Sequence, residues 1–285
     1  MPIDPEKAKE AELPSLEAEW DRDKVILYHL GVGAGRNPTD PEELEYTYEA
    51  RLKVLPSFAV IPVYNTVSLV LRQPGLDISP VAIVHGEHEI SVSGAIPVEG
   101  RVTTESRLVD VYDKGRSAIL VIENETKDLE SGRHLFTNRW SLFARGEGGF
   151  GGDPGPKVSG ELPDRTPDRV IESPTLPQQA QIYRLSGDKV VLHIDPEAAK
   201  KAGFDTPILH GLCSFGIVCK AVVDGFLDGD VTRIGSYRGR FAQPVLPGET
   251  IVTSMWREGE RILLSAAVKE RNVPILTHAW VEPNE

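Results

Sequence analysis

A carboxylate and an imidazole stand five positions apart in YRLSGDKVVLHIDPEAAKKAGFDTPILHGLCS, residues 183–214. Asp188 follows Ser186-Gly187, where a helix would end. His193 lies beyond the apolar bridge Val190, Val191 and Leu192. Asp195-Pro196 has the form of a cap and first turn of a short helix. Pro207 closes a loop, and His210-Gly211 opens a long apolar run. A carboxylate, an imidazole and a helix N-terminus can therefore converge. General acid–base chemistry needs two proton carriers around one water, and a reacting carbonyl needs donors where negative charge develops. The same residues have plainer uses: an aspartate after glycine serves in turns, and a histidine between Leu192 and Ile194 can be a satisfied core group.

Two other clusters carry less. Gly31-Val32-Gly33-Ala34-Gly35 suggests a phosphate loop, but a dinucleotide fingerprint would require glycine where Arg36 stands and a preceding strand. DRDKVILYHL before it reads as a helix, so these glycines are expected to end that helix. His210, Cys213 and Cys219 match no common zinc spacing, and the cysteines fall in an apolar helix face. No metal site is expected.

The elements that must position these groups fall into two halves. The run GEGGFGGDPGP, residues 146–156, holds six glycines and two prolines, and a polar, proline-dotted segment follows it. The expected organisation is a first domain over 1–145, a connector over 146–174 and a second domain over 175–285. The halves are faintly similar: Tyr28-His29-Leu30-Gly31 resembles Tyr183-Arg184-Leu185-Ser186 at an offset of 155. RVTTESRLVDVYD and ETIVTSMWRE each follow a turn and alternate as long antiparallel strands, with SAILVIEN and RILLSAAVK as the next strands. GLCSFGIVCKAVVDGFL, residues 211–227, has helical spacing, whereas Pro56 and Pro62 interrupt the equivalent run in the first half. One helix against a curled antiparallel sheet, twice over, is an α+β design.

Composition limits the partners. Hydrophobic residues are 40% and charged residues 26% of 285, an ordinary globular balance. Acidic residues number 43 against 31 basic ones, a net charge of −12, which disfavours nucleic acid. No run reaches the ~18 apolar residues of a membrane helix. The first twenty residues have no apolar core of signal-peptide length, and Pro283-Asn284-Glu285 is no peroxisomal address, so a cytoplasmic protein is expected.

The segment around Asp188 and His193 resembles the signature of the R-specific, type 2 enoyl-CoA hydratases, the MaoC-like family also found in peroxisomal multifunctional enzymes. The likeness extends to YHLGVGAG, VHGEHEI (84–90), VYDKG (111–115), RGEGGFGG and RFAQPVLPGET (240–250). It implies a double hot-dog fold with catalysis in the second half, and a homodimer. It implies water addition to an enoyl-CoA, giving a 3-hydroxyacyl-CoA, with no metal and no cofactor beyond the CoA of the substrate. By resemblance the catalytic pair falls on Asp188 and His193, and the oxyanion donor on the Gly211 N–H. Substrate and CoA contacts fall on Lys189, Val190, Val191, Leu192, His85, Gly86, Lys114 and Phe241. The counterparts of the pair in the first half, Gly33 and Pro38, carry no protons, so that half is expected to make room for a bulky acyl group. Similar enzymes commonly read Asp-x-Asn-Pro-x-His, and Val190 replaces that amide here. This departure bears on rate and acyl preference, and motivates the alternative of a silent acyl-CoA-binding subunit. The other alternative is a dehydratase acting on CoA or carrier-protein thioesters.

Overall fold

The computed structural model describes residues 3–156 and 160–284. The first half comprises α1 (Pro5–Lys9), β1 (Leu16–Trp20), α2 (Arg22–Gly31), α3 (Pro41–Thr47), α4 (Thr66–Val70), β2 (Ile83–Val92), β3 (Gly100–Asp113), β4 (Ser117–Asp128) and β5 (His134–Arg145). The second comprises β6 (Arg169–Pro174), α5 (Gln179–Tyr183), α6 (Pro196–Lys201), α7 (Gly211–Phe226), β7 (Ile234–Phe241), β8 (Thr250–Glu258), β9 (Arg261–Val268) and β10 (Val273–Pro283).

Alternation builds the strands. In β9 the buried side chains are Ile262, Leu264, Ala266 and Val268, every second residue. All neighbouring strands pair antiparallel, in the order β1-β3-β4-β5-β2-β7-β10-β9-β8-β6. The two expected sheets are thus one ten-stranded sheet. Its order reads the same from both ends once each first-half strand is matched to its second-half equivalent, which is the internal repeat made visible. The seam is β2 on β7, with Glu87 opposite Arg240 and Ile90 opposite Tyr237. Across it the Glu87 carboxylate binds Arg240, whose Nε is 2.8 Å away, and Arg238 at 2.5 Å.

The core sits inside the curl. α7 is buried on nearly every side, Leu212 to Cys219 and Ala221 to Val223 included, as the central helix of a closed layer must be. Gly216 lets α2 approach it, since a Cβ there would lie 2.6 Å from Val32 and 2.7 Å from the Tyr28 hydroxyl. The first-half counterpart is broken as Pro56 and Pro62 require. A 3₁₀ turn, Pro56–Val60, precedes irregular turns and then α4. Phe58, Ala59, Val60, Val63 and Val70 are fully enclosed, so this segment fills its half of the core with its own side chains.

The connector is shorter than 146–174. Its last six residues are β6, an edge strand on β8, and so belong to the second half's sheet. The glycine-rich part is anchored too: the Asp113 carboxylate accepts the N–H groups of Gly149 at 2.9 Å and Gly151 at 2.7 Å. Among the described residues no helix is long and apolar enough to cross a membrane.

Candidate active site

α5 runs into a 3₁₀ turn, Arg184–Ser186, and Gly187 ends it at φ 145°, a conformation strained for any residue with a side chain. The reversal carries Asp188 inward, where it is 9% exposed and its Oδ1 accepts the Val190 N–H at 3.1 Å. A second 3₁₀ turn, Val191–His193, brings the imidazole round. His193 Nδ1 lies 2.9 Å from the Ile208 carbonyl oxygen. A carbonyl can only accept, so Nδ1 carries the proton and Nε2 is left as the acceptor of the neutral ring. Burial lowers the His193 pKa, against the opposing pull of the Ile208 carbonyl and Asp188. A neutral base is thereby kept beside a carboxylate.

His210 completes the cluster. Its ring stacks on His193 with centroids 3.9 Å apart and planes at 29°, and Tyr183 lies beside it at 5.0 Å. Both its ring nitrogens are buried without a hydrogen-bond partner. Burial, then the charge of His193, lowers its pKa to about 2, so it stays neutral. Atoms of Asp188, His193 and His210 all lie within 4.8 Å of one another. That spacing is close enough to hold a metal ion or to share protons. Cys213 is turned elsewhere, its thiol donating to the Gly31 carbonyl at 3.2 Å.

His210 is also the residue before α7, and no side chain caps that helix. The exposed Gly211 therefore opens a helix whose positive dipole end lies next to His210, the ring stacked on His193. A Cβ at Gly211 would touch the Phe241 ring at 3.4 Å, and Phe241 meets His85 edge-on at 4.8 Å. His85 stacks on Trp140 at 4.7 Å, and Gly86 forms a bulge where β2 leaves register with β5. His85, Gly86 and Phe241 thus gather at the seam beside the α7 N-terminus. Burial lowers the His85 pKa to about 3, against a main-chain hydrogen bond at Glu87.

A carboxylate, a neutral imidazole acceptor and main-chain donors around one space can move a proton to or from water while a neighbouring carbonyl oxygen gains charge. Residues 19–146 match the family described as MFE-2 hydratase 2 N-terminal domain, and residues 158–278 match the MaoC like domain. Enoyl-CoA hydratase ChsH3 of Mycobacterium tuberculosis is 42% identical over 99% of this chain and 100% of its own. The 3-hydroxyacyl-thioester dehydratase Y of the same organism is 39% identical, over 90% of this chain and 88% of its own. A crystal structure of a MaoC-like dehydratase from Phytophthora capsici is 31% identical and superposes with a TM-score of 0.89, covering 99% of this chain and 98% of that one. The chain belongs to the MaoC-like, type 2 enoyl-CoA hydratase family.

Within this double hot-dog family member, the structure brings together Asp188, His193 and Gly211, with His85, Gly86 and Phe241 next to them. Lys189, Val190 and Val191 face outward, Val190 at 45% and Val191 at 58% exposure, while Leu192 is half-buried. Lys114 belongs to a different place. It is exposed, its ammonium binds the Pro154 carbonyl, and it lines a cavity of about 270 Å³ with Arg139, Arg238 and Arg240. One residue beside the pair was not among the expected site residues: His210, which the sequence offers only as a weak metal-ligand candidate and as the residue that opens α7, stacks on His193.

Proposed function

We propose that the chain adds water across the trans-2,3 double bond of an enoyl-CoA to give a (3R)-3-hydroxyacyl-CoA. The observation that supports this best is the convergence of Asp188, His193 Nε2 and the uncapped start of α7. Water held between the pair gives up a proton as its oxygen bonds to C3. The alkene electron pair moves toward the thioester oxygen, where the Gly211 N–H and the α7 dipole meet the charge. A proton then arrives at C2 on the same face, and the thioester carbonyl re-forms. Every electron pair stays within substrate and water, so the sequence of steps calls for neither a metal nor a redox group. CoA enters as part of the substrate.

The reverse reaction, dehydration of a 3-hydroxyacyl thioester, uses the same groups by microscopic reversibility. The likeness to a thioester dehydratase favours assaying both directions. Exposed Leu185, Val190 and Val191 form an apolar rim beside the acid–base loop. Burial contributes about 25 cal/mol per Å², so a bulky acyl group that covers this rim gains orientation that a short chain does not. A ring-bearing or long branched enoyl-CoA is therefore expected to exceed crotonyl-CoA by at least ~10-fold in kcat/KM. Loss of the conjugated thioester absorbance across a panel of enoyl-CoAs measures this directly. Equal efficiency on crotonyl-CoA removes the acyl preference, and no absorbance loss with any member removes the hydration reading. Cytoplasmic residence and a homodimer complete the proposal, and light scattering tests the second.

A further inference from the structure

His210 is 1% exposed, and neither of its ring nitrogens has a hydrogen-bond partner. A polar group shut away from water in that state is costly unless a ligand meets it. One donor atom each from Asp188, His193 and His210 all lie within 4.8 Å of one another, and among the described residues no other group of three such side chains converges in this way. Each member has a lone pair to give. The Ile208 carbonyl holds the His193 Nδ1 proton at 2.9 Å, which leaves Nε2 free and aims the ring, as the outer partner of a metal-bound histidine does. The Val190 N–H takes one acceptor position of the Asp188 carboxylate, which has about four. No hydrogen bond fixes the His210 ring, so it can turn a nitrogen toward the other two. Zinc bonds of ~2.0–2.1 Å set tetrahedral donors roughly 3.4 Å apart, so the three atoms close by about 1.4 Å at most. Half-buried His193, with Gly187 and Lys189 exposed beside it, leaves the cluster open on one side.

We infer that Asp188, His193 and His210 form a binding site for a divalent transition-metal ion of the zinc class, and that filling it stops hydration. Two imidazole nitrogens and one carboxylate oxygen suit zinc and its neighbours, whereas magnesium and calcium take oxygen ligands. Three protein ligands leave a fourth position for water. Neither cysteine of the His210, Cys213 and Cys219 run is among the three converging side chains, and the Cys213 thiol donates to the Gly31 carbonyl instead. The ion occupies the Nε2 lone pair and the carboxylate oxygen with which the proposed reaction holds and deprotonates water. It is therefore an inhibitor of that reaction and not its cofactor. The inhibition rests on Asp188 and His193 acting as the proposed pair; the binding does not.

The test titrates the untagged full chain, stripped with EDTA and dialysed, with Zn²⁺ by isothermal titration calorimetry. Co²⁺ serves as a second probe, because a four-coordinate ion absorbs far more strongly in the visible than the hydrated one. The expected result is a single ion per chain, bound in the micromolar range or tighter, and a strong cobalt band. His210→Phe keeps a ring beside His193, and Asp188→Asn keeps the shape of the carboxylate; circular-dichroism melting verifies that each is folded. Each is expected to weaken Zn²⁺ by at least ~100-fold, more than the 10- to 100-fold cost of losing an outer partner. Hydration of an enoyl-CoA by the wild-type chain should fall in step with the occupancy that calorimetry gives and return on adding EDTA. An about tenfold higher concentration of Mg²⁺ should leave it unchanged. No binding of Zn²⁺ up to about 1 mM, or binding that the folded variants retain, overturns the site. If the variants lose the ion but wild-type hydration is undiminished at full occupancy, the site stands. The inhibition then falls, and the assignment of the pair falls with it.

Discussion

A carboxylate and an imidazole five residues apart face the same water only if the chain between them turns twice. Gly187 makes the first turn and the 3₁₀ segment Val191–His193 the second. The Ile208 carbonyl then fixes which nitrogen of His193 is free, and the stacked, neutral His210 holds the ring plane. This level of detail was partly legible: Asp188, His193 and Gly211 are near in sequence, and the turn-forming residues between them announce a loop. The stacking of His210 on His193 was not, because nothing local signals which rings a loop brings face to face. Lys114 separates a motif residue from a catalytic one. It lies among arginines in a protein of net charge −12, so a local cationic groove is needed if CoA phosphates are to bind there. Lys114→Ala is expected to raise KM by about 3- to 10-fold and leave kcat nearly unchanged, since an anchor distant from the reacting atoms binds ground and transition states alike. The penalty should shrink with substrates that lack the 3′-phosphate. An unchanged KM reduces Lys114 to a clamp on the Pro154 carbonyl.

Elements hold the halves in register, and one contact between them is polar and largely enclosed. Lys220 on α7 binds Glu43 of α3 at 2.7 Å and Asp224 at 2.6 Å, while the Tyr46 hydroxyl donates to Asp224 at 2.6 Å. Burial alone would lower the lysine pKa, but Asp224 and Glu43 outweigh it and keep the ammonium charged. Lys220→Met leaves two carboxylates facing each other without their cation and is expected to cost about 2–4 kcal/mol in urea unfolding. Activity per folded molecule should survive, because the network lies away from Asp188. A change below ~0.5 kcal/mol would make the network incidental. The strands and helix that sequence reading found are those with strong local period: β3, β4, β8 and β9 by alternation, α7 by apolar spacing. β6 escaped because Arg169–Pro174 is a short, mostly exposed edge strand ending in proline, which looks like connector. The β2–β7 seam escaped because pairing partners 150 residues apart leave no local pattern.

At the scale of the whole molecule, one sheet and one core make the halves interdependent, and the buried histidines give that core a pH dependence. Burial lowers the His29 pKa to about 4 and the His210 pKa to about 2, and His88, also buried, is pushed well below its ordinary value. In the unfolded chain each takes up a proton near pH 6.5. Below that pH the unfolded state binds protons that the folded state refuses, so stability falls as pH drops from about 6.5 toward 4. Each group tilts stability by up to about 1.4 kcal/mol per pH unit in this window and by almost nothing above pH 7.5. Urea midpoints taken from pH 8 to pH 4.5 should therefore stay level and then drop below 6.5. A midpoint flat to pH 4.5 would mean that these rings are protonated in the fold.

The central claim is that Asp188 and His193 work as one unit on water. The most direct test is kcat on a bulky enoyl-CoA for Asp188→Ala, His193→Ala and the double variant, each confirmed folded and CoA-binding. Each single change is predicted to lose at least ~10²-fold, and the double change to be hardly worse than the poorer single, because groups sharing one step are not additive. A folded single variant with near-normal turnover, or losses that simply multiply in the double variant, would contradict it.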